Sequence, residues 1–303
     1  MADEEIYEKY RLAGKACAEA GIYGRKLVKP DFPLLELGNE IENYILDKGV
    51  SLSFPVNISL DSCAAHYSPA VNDDSILPAE GLLKIDIGTH VDGYIADHAI
   101  SIDIGNSGGV YTKLIDSATK ALDVAVKNFL PGTNVIEIGR RINESIQKDG
   151  FRPIRNLGGH NLQQNLLHGG IFVPNVPSGT PYILKEGDVF AIEPFSTNGA
   201  GYVVDGPKTL IYRFLKRPKK QINMRLRSAL EHIRRNFNGL PFSPRWLEKN
   251  MSSDSIMLII KELERKNLIH GYPLLMEADA GLVSQMEHTV IVHEDHAEIT
   301  TKI

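Results

Sequence analysis

The chain has 303 residues, of which 43% are hydrophobic and 23% are charged, and its formal net charge at pH 7 is −5. These values are typical of a globular protein with one or two domains, and a slightly acidic chain has no general attraction to DNA or membranes. Two cysteines and no apolar run near the roughly 20 residues that span a bilayer predict a protein of the reducing cytoplasm.

Helices are predicted first along the chain. Apolar residues recur at spacings of three and four over residues 4–29, which indicates an amphipathic helix. A second helix follows Asp31-Phe32-Pro33 and ends at Lys48-Gly49, where a cation and a glycine favour a C-terminus. After a stretch of strands, residues 110–129 and 135–149 return to helical spacing.

A β-hairpin separates these two pairs of helices. Residues 82–88 and 94–104 are rich in β-branched residues and flank an Asp-Gly step, which is a hairpin signal. With the turn centred between residues 91 and 92, Asp86 faces Asp97 and the carboxylates lie about 5 Å apart. A proton or a cation between them would relieve their repulsion, unless both lie exposed on the ribbon.

Two further carboxylates, Glu193 and Glu287, interrupt apolar runs in the predicted strands 188–195 and 281–293. A buried and unpaired carboxylate is costly, so four such acids require positive charge, and two divalent cations would balance them. Oxygen ligands with a single imidazole suit Mn, Fe, Co or Zn in a dinuclear site, where a bridging hydroxide becomes a nucleophile at neutral pH.

The strands, with a further one at 208–214, alternate with helices without a regular βαβ rhythm, which favours an α+β layer architecture. Residues 215–272 differ from the rest, since helical signals at 223–236 and 254–266 replace strand signals, and we interpret them as a helical insertion. Its first half is basic and carries Lys216, Arg217, Lys219, Lys220, Arg225, Arg227, Arg234 and Arg235. Such a patch is either a solvated face or a contact for RNA or an acidic partner.

Several motifs together resemble the type II methionine aminopeptidases over nearly the whole chain. They are NISLDSCAAHYSP at 57–69, KIDIGTH at 84–90, Asp97, Gly-Gly-His ending at His160, His168, AIEPF at 191–195 and EHT at 287–289. The resemblance implies the pita-bread fold, with two pseudo-symmetric αβ halves around a dinuclear metal site. Residues 1–214 and 273–303 would form the catalytic domain and 215–272 an inserted, winged-helix-like helical subdomain. The absence of a charged N-terminal extension is similar to the short archaeal form.

The resemblance also implies the metal ligands. Asp86 would bind one ion, Asp97 and Glu287 would bridge both ions, and His160 with Glu193 would complete the second. The cofactors would be two divalent ions (Co, Mn, Fe or Zn), and Glu193 would also carry the proton during catalysis.

Three further residues are expected to contact the substrate. His66 and His168 match the family's histidines that contact the scissile amide and stabilise the charge on its oxygen. Phe54 falls where the family lines its methionine pocket. The implied reaction is removal of the N-terminal methionine from peptides and nascent chains, with small second residues preferred, by a monomer in the cytoplasm that contacts the ribosome through the basic insertion.

Two departures and two alternatives accompany this interpretation. Asn161 stands where relatives usually have serine, and the stretch 163–165 is also unusual, although neither removes a ligand. Xaa-Pro aminopeptidases and prolidases share the five ligands but usually carry a large N-terminal domain. Non-catalytic binding proteins of the proliferation-associated type share the fold but have typically lost metal ligands.

Overall fold

The computed structural model describes residues 2–250 and 252–303, with an α+β architecture. The helices are α1 (Ala2–Leu27), α2 (Leu34–Asp47), α3 (Val110–Lys127), α4 (Val135–Lys148), α5 (Met224–Phe237) and α6 (Ser253–Arg265), with a 3₁₀ helix at Pro244–Asn250. The strands are β1 (Ser51–Leu60), β2 (Cys63–Ala65), β3 (Gly81–Val91), β4 (Tyr94–Ile104), β5 (Arg152–Pro153), β6 (Gly158–Asn161), β7 (Phe172–Pro174), β8 (Val189–Ile192), β9 (Phe195–Thr197), β10 (Val203–Phe214), β11 (Ile269–Glu277), β12 (Val283–Gln285), β13 (His288–Val292) and β14 (Ala297–Ile299). The four predicted helices outside the insertion are confirmed to within a few residues at each end.

The first sheet has the strand order β1-β3-β4, and α1 and α2 pack against it. Helix α2 buries Leu37, Ile41 and Ile45 completely in this core. Burial of an aliphatic side chain of this size contributes about 1.5–3 kcal/mol, so this apolar face accounts for the position of the helix.

The predicted register of the β3–β4 hairpin is wrong by two residues. Val91 pairs with Tyr94, so the turn consists of Asp92 and Gly93, whose φ angles are 51° and 85°. Two positive φ angles are the requirement of the tight hairpin turn that Asp-Gly favours. Asp86 therefore lies opposite Ala99 rather than Asp97.

The largest sheet has the order β14-β13-β8-β6-β7, and a separate three-stranded sheet has the order β12-β9-β5. Helices α3 and α4 bury a second core against strands of these two sheets. The predicted strands 188–195 and 281–293 are each interrupted, because β8 ends before Glu193 and β12 ends before Met286. The two glutamates consequently lie at strand breaks and not inside continuous strands.

Helices α5 and α6 pack with the 3₁₀ helix around a hydrophobic cluster of their own, which includes Tyr212 of β10 and Ile269 of β11. Strand β10 precedes these helices in the chain and strand β11 follows them. The two strands pair antiparallel with each other and form a sheet with β2. Arg245 of the 3₁₀ helix makes a buried, two-pronged ion pair with Glu42 of α2, and so attaches these helices to the first core.

No helix in the two described ranges is long and apolar enough to cross a membrane.

Candidate metal centre

Five acidic and imidazole side chains from different strands converge at the bottom of one cleft. They are Asp86, Asp97, His160, Glu193 and Glu287. The Nε2 atom of His160 lies 3.6 Å from Oδ2 of Asp97 and 3.8 Å from Oε1 of Glu193. One ligand atom from each of Asp97, His160 and Glu287 lies within 4.8 Å of the other two.

The hairpin register explains how the two aspartates reach the same place. Gly88 lies opposite Asp97, and Asp86 lies two residues from Gly88 on the same face of β3. The aspartates are thus diagonal neighbours across the ladder, at a separation that long polar side chains and a bound ion can span. The absence of a side chain at Gly88 leaves space for the ring of Phe54, since a Cβ atom at position 88 would lie 2.2 Å from Cε1 of that ring.

Hydrogen bonds to the backbone of β4 bring β13, and Glu287 just before it, to the hairpin. The Thr289 hydroxyl accepts a hydrogen bond from the amide of Asp97 (2.7 Å) and donates one to its carbonyl (2.9 Å). The amide of Glu287 donates to the carbonyl of Ala99 (3.0 Å). Next to β13 lies β8, and next to β8 lies β6, which carries His160. These pairings fix Glu193, at the end of β8, beside His160 and Asp97.

The electrostatics of the cluster favour the neutral acids when no cation is bound. Burial raises the pKa of Asp86 to about 7. Burial, reinforced by the neighbouring carboxylates, also raises the pKa values of Asp97, Glu193 and Glu287 well above their ordinary range. Burial lowers the pKa of His160 to about 3, so the imidazole is neutral at pH 7 and supplies no positive charge.

The hydrogen bonds of the cluster also indicate that positive charge is lacking. Oδ1 of Asp86, Oδ1 of Asp97 and Oε1 of Glu287 are buried and find no donor among the residues that the structure describes. Buried polar atoms are nearly always paired in proteins, so three orphaned carboxylate oxygens around one point indicate a missing positive group. Carboxylate oxygens with one neutral imidazole form a suitable donor set for divalent cations such as Mn, Fe, Co or Zn.

Gln285 is a member of the centre that the sequence did not reveal. It is almost fully buried, and its Nε2 atom donates to Oε2 of Glu193 (3.2 Å) and to Oε2 of Glu287 (3.4 Å). Its backbone is fixed in turn by the hydroxyl of Ser101, which accepts from the amide and donates to the carbonyl. The only available signal is its spacing of two residues from Glu287, which is the repeat of one face of a strand.

The cleft above the centre has a volume of about 250 Å³ and mostly apolar walls. The lining side chains include Phe54, Leu157, Leu167, Phe172, Ile211, Pro241, Tyr272 and Leu275. Phe54 lines this cleft opposite Gly88, and its part in a methionine pocket stays a prediction.

His66 and His168 both line this cleft. His66 has a φ angle of 69°, which is uncommon outside glycine, and its Nδ1 lies 3.0 Å from the carbonyl oxygen of Pro273. The ring of His168 lies 4.3 Å from that of His160, centroid to centroid. The cleft walls desolvate His168 and lower its pKa to about 4, although part of the residue is open to solvent, and burial also lowers the pKa of His66.

His98 and His288 stack on each other at a centroid distance of 5.2 Å and do not line the cleft. Strand alternation directs both rings to the face opposite the neighbouring carboxylates Asp97 and Glu287. The Nδ1 of His98 lies 2.6 Å from the carbonyl oxygen of Glu287, so this pair supports the ligand strands from behind.

Asn161 shapes the loop that carries His168. Its Oδ1 accepts from the amide of Ile171 (2.9 Å), and its carbonyl accepts from the amide of Gly169 (2.9 Å). Strand alternation directs its side chain away from that of His160. The asparagine thus acts on the second histidine of the cleft rather than on the carboxylates.

A family model for metallopeptidase family M24 matches residues 8–294. The chain belongs to this family. It is 41% identical to the methionine aminopeptidase of Pyrococcus horikoshii, with full coverage of both chains. It is also 41% identical to the methionine aminopeptidase of Saccharolobus solfataricus, covering 100% of this chain and 99% of the relative.

The fold is similar to that of the methionine aminopeptidase from Rickettsia prowazekii, with a TM-score of 0.72 at 20% identity over 99% of this chain and 98% of that one. This likeness confirms the predicted pita-bread fold.

Proposed function

We propose that the protein is a metal-dependent aminopeptidase that removes the N-terminal methionine from peptides and nascent chains. Membership of a metallopeptidase family and full-length similarity to methionine aminopeptidases support this function. The observation that carries the proposal is the group of five donors that line an apolar cleft, of which Asp97, His160 and Glu287 are buried, together with three orphaned carboxylate oxygens.

The proposed ligands are the five residues named in the sequence analysis. Asp86 would hold one divalent ion, Asp97 and Glu287 would contact both, and His160 with Glu193 would complete the second; Co, Mn, Fe and Zn all suit this donor set. When bound, the ions supply Lewis-acid activation of water and of the scissile carbonyl at neutral pH.

The side chains perform the remaining steps. Glu193, whose Oε2 already accepts a hydrogen bond from Gln285, takes a proton from the attacking water and returns it to the leaving amine. His66 and His168, both with lowered pKa, remain neutral at pH 7 and contact the scissile amide. The Nδ1 proton of His66 goes to the carbonyl of Pro273, so its Nε2 accepts from the N–H of the amide, whereas His168 donates an N–H to the amide oxygen as negative charge develops there. Neutral rings are suitable because a permanent positive charge would compete with the metal ions for the carboxylates.

Methionine selectivity follows from the walls of the cleft. Phe54, Tyr272, Leu275 and their neighbours present aromatic and aliphatic surface to the side chain of the first residue. A thioether is unbranched and polarisable and makes favourable contacts with aromatic edges, so it fits such a pocket better than a charged or β-branched side chain. A tight neighbouring subsite would favour small second residues.

The insertion provides a surface for a nucleic-acid partner. Residues 215–272 would form an inserted subdomain. We also expect the protein to be a monomer and to work in the cytoplasm. Most of its basic residues are exposed, while Arg234 and Arg235 are partly neutralised by Glu231. Exposed cations in this segment would support contact with ribosomal RNA, which salt-dependent binding of Arg225→Gln and Arg227→Gln variants would test.

The deciding experiment follows the release of the first residue from Met-Ala-Ser, Leu-Ala-Ser and Ala-Pro-Ser peptides. The protein is first stripped with chelator and then loaded stepwise with Co²⁺ or Mn²⁺. We expect metal-dependent release of methionine with little from the other two peptides. Preference for Ala-Pro-Ser would indicate an Xaa-Pro aminopeptidase, and no turnover despite bound metal would indicate a binding protein.

Variants then connect activity to the centre. Asp97→Ala and Glu287→Gln should abolish turnover and reduce metal occupancy. Asp103→Ala, on the same strand as Asp97 but outside the cleft, is the matched control and should retain both. Unchanged turnover and occupancy in the first two variants would contradict the proposed ligand set.

A further inference from the structure

Asn57 is a buried polar residue of the cleft to which the proposed mechanism gives no role. It lies on β1 directly opposite Asp86 of β3, so the two side chains point to the same side of the sheet. Both residues line the cleft, and Asn57 is only 4% exposed. An amide at this depth, next to a proposed ligand and facing the substrate space, requires hydrogen-bond partners.

The orientation of this amide follows from one contact. Nδ2 of Asn57 donates to the carbonyl oxygen of Pro55 at 3.1 Å. Because a carbonyl can only accept, the NH₂ end must face Pro55 and the oxygen must face the other way. Oδ1 is buried there and has no donor among residues 2–250 and 252–303.

The surroundings of Oδ1 define the group that it would bind. Oδ1 of Asp86, on the facing strand, also has no donor in the described part of the chain. Because the Asp86 carboxylate is already assigned to a metal ion, Oδ1 of Asn57 is the acceptor that remains for an N–H or O–H donor, and it repels another acceptor. The methionine side chain offers no such donor, whereas the free α-amino group of an aminopeptidase substrate does.

We propose that Oδ1 of Asn57 accepts a hydrogen bond from the α-amino group of the substrate, which makes Asn57 a substrate-binding residue that selects a free N-terminus. This inference rests on the proposed aminopeptidase function. An acylated N-terminus has a single N–H and no positive charge, and it carries a carbonyl oxygen towards Asn57 and Asp86, so the same contact disfavours blocked and internal residues.

The test compares two ligands that differ only in the amino group. L-methionine carries it, and 4-(methylsulfanyl)butanoate has the same side chain and carboxylate without it. Their dissociation constants are measured by ligand-observed NMR on the Zn²⁺-loaded protein, with zinc content determined in each sample. In Asn57→Leu, which keeps the size but removes Oδ1, binding of methionine should weaken about five- to tenfold relative to the amino-free ligand.

Ser59→Ala is the matched control. Ser59 lies two residues further along the same strand, is 1% exposed and also has an unpaired side-chain oxygen, but it does not line the cleft. It should leave the ratio of the two dissociation constants unchanged. Asn57→Ala removes the same oxygen and leaves a small side chain. If the leucine variant does not fold, the ratio of the two dissociation constants is measured on Asn57→Ala instead.

Equal weakening of both ligands, no weakening, or a loss that follows zinc content instead of the amino group would overturn the inference. Failure of the proposed function is a separate result. If the unaltered protein loaded with Co²⁺ or Mn²⁺ releases no methionine from Met-Ala-Ser, the aminopeptidase assignment is wrong whatever Asn57 binds. If it releases methionine and the ligand ratio is unaffected in Asn57→Leu, the role of Asn57 alone is wrong.

Discussion

Loading the metal-free protein with a divalent cation should release protons at pH 7. Burial raises the pKa of Asp86 to about 7, so this carboxyl competes for a proton near neutral pH. The raised pKa values of Asp97, Glu193 and Glu287 keep further protons in the cluster. His160 has none to release, because its lowered pKa of about 3 leaves it neutral. Since a metal binds only the deprotonated acids, we expect release of at least about one proton per loaded site.

The sign of the pH dependence follows from the same values. A raised carboxyl pKa means that protons compete with the metal up to about pH 7 for Asp86, and to higher pH for any acid with a higher pKa. Apparent metal affinity should therefore rise with pH through neutrality, by about tenfold per pH unit for each proton displaced. A centre whose acids were already ionised at pH 5 would show no such slope above that pH.

Calorimetry in two buffers of different ionisation enthalpy measures the number of protons released. Asp86→Asn removes one of the coupled acids and should reduce the release. Asp103→Asn lies on the hairpin outside the cleft and should release as many protons as the unaltered protein. Zero release at pH 7, or proton uptake, would refute the assignment of raised pKa values to this cluster.

Two further predictions concern contacts that support the centre and the fold. Arg245→Met leaves Glu42 buried at 4% exposure without its cation, and should lower the free energy of unfolding in urea by about 3–5 kcal/mol. The double variant with Glu42→Met should recover most of this loss. A loss below about 1 kcal/mol in Arg245→Met would show that the pair is not a fixed link. Gln285→Leu removes the donor shared by Glu193 and Glu287 and should weaken metal binding about tenfold in chelator competition, with a smaller effect on kcat at saturating metal. Unchanged metal affinity would contradict that role.

The sequence predicted the helices outside the insertion well because their apolar residues recur at a single spacing. It missed β1 and β11 for a physical reason. Strand β1 is buried on both faces and contains Pro55, so it shows neither the alternation of a half-buried strand nor an uninterrupted β-branched run. Strand β11 contains Gly271 and Pro273, which read as turn signals although the strand pairs on both sides.

Single contacts between distant residues were also beyond sequence reasoning. Arg245 and Glu42 are 203 positions apart, and nothing in either segment marks the other as its partner. Asn57 and Gln285 carry no charge and lie in strands with mixed composition, so only their burial distinguishes them, Asn57 in the wall of the cleft and Gln285 beside two of its carboxylates. The acids were visible because a carboxylate inside an apolar run is expensive to bury, whereas a neutral amide costs less.

The hairpin shows why a wrong register still placed Asp86 and Asp97 on the same face of the sheet. The turn lies one residue later than predicted, which slides one strand past the other by two residues. Because side chains alternate with a period of two, a slip of two keeps every residue on its original face, whereas a slip of one would have moved Asp97 away from Asp86. The slip replaces a direct pair by a diagonal one and places Gly88 opposite Asp97, where Phe54 occupies the space that a larger side chain would take. The proposed metal and substrate sites thus meet at Gly88, which links the distance between the aspartates to the position of the pocket wall.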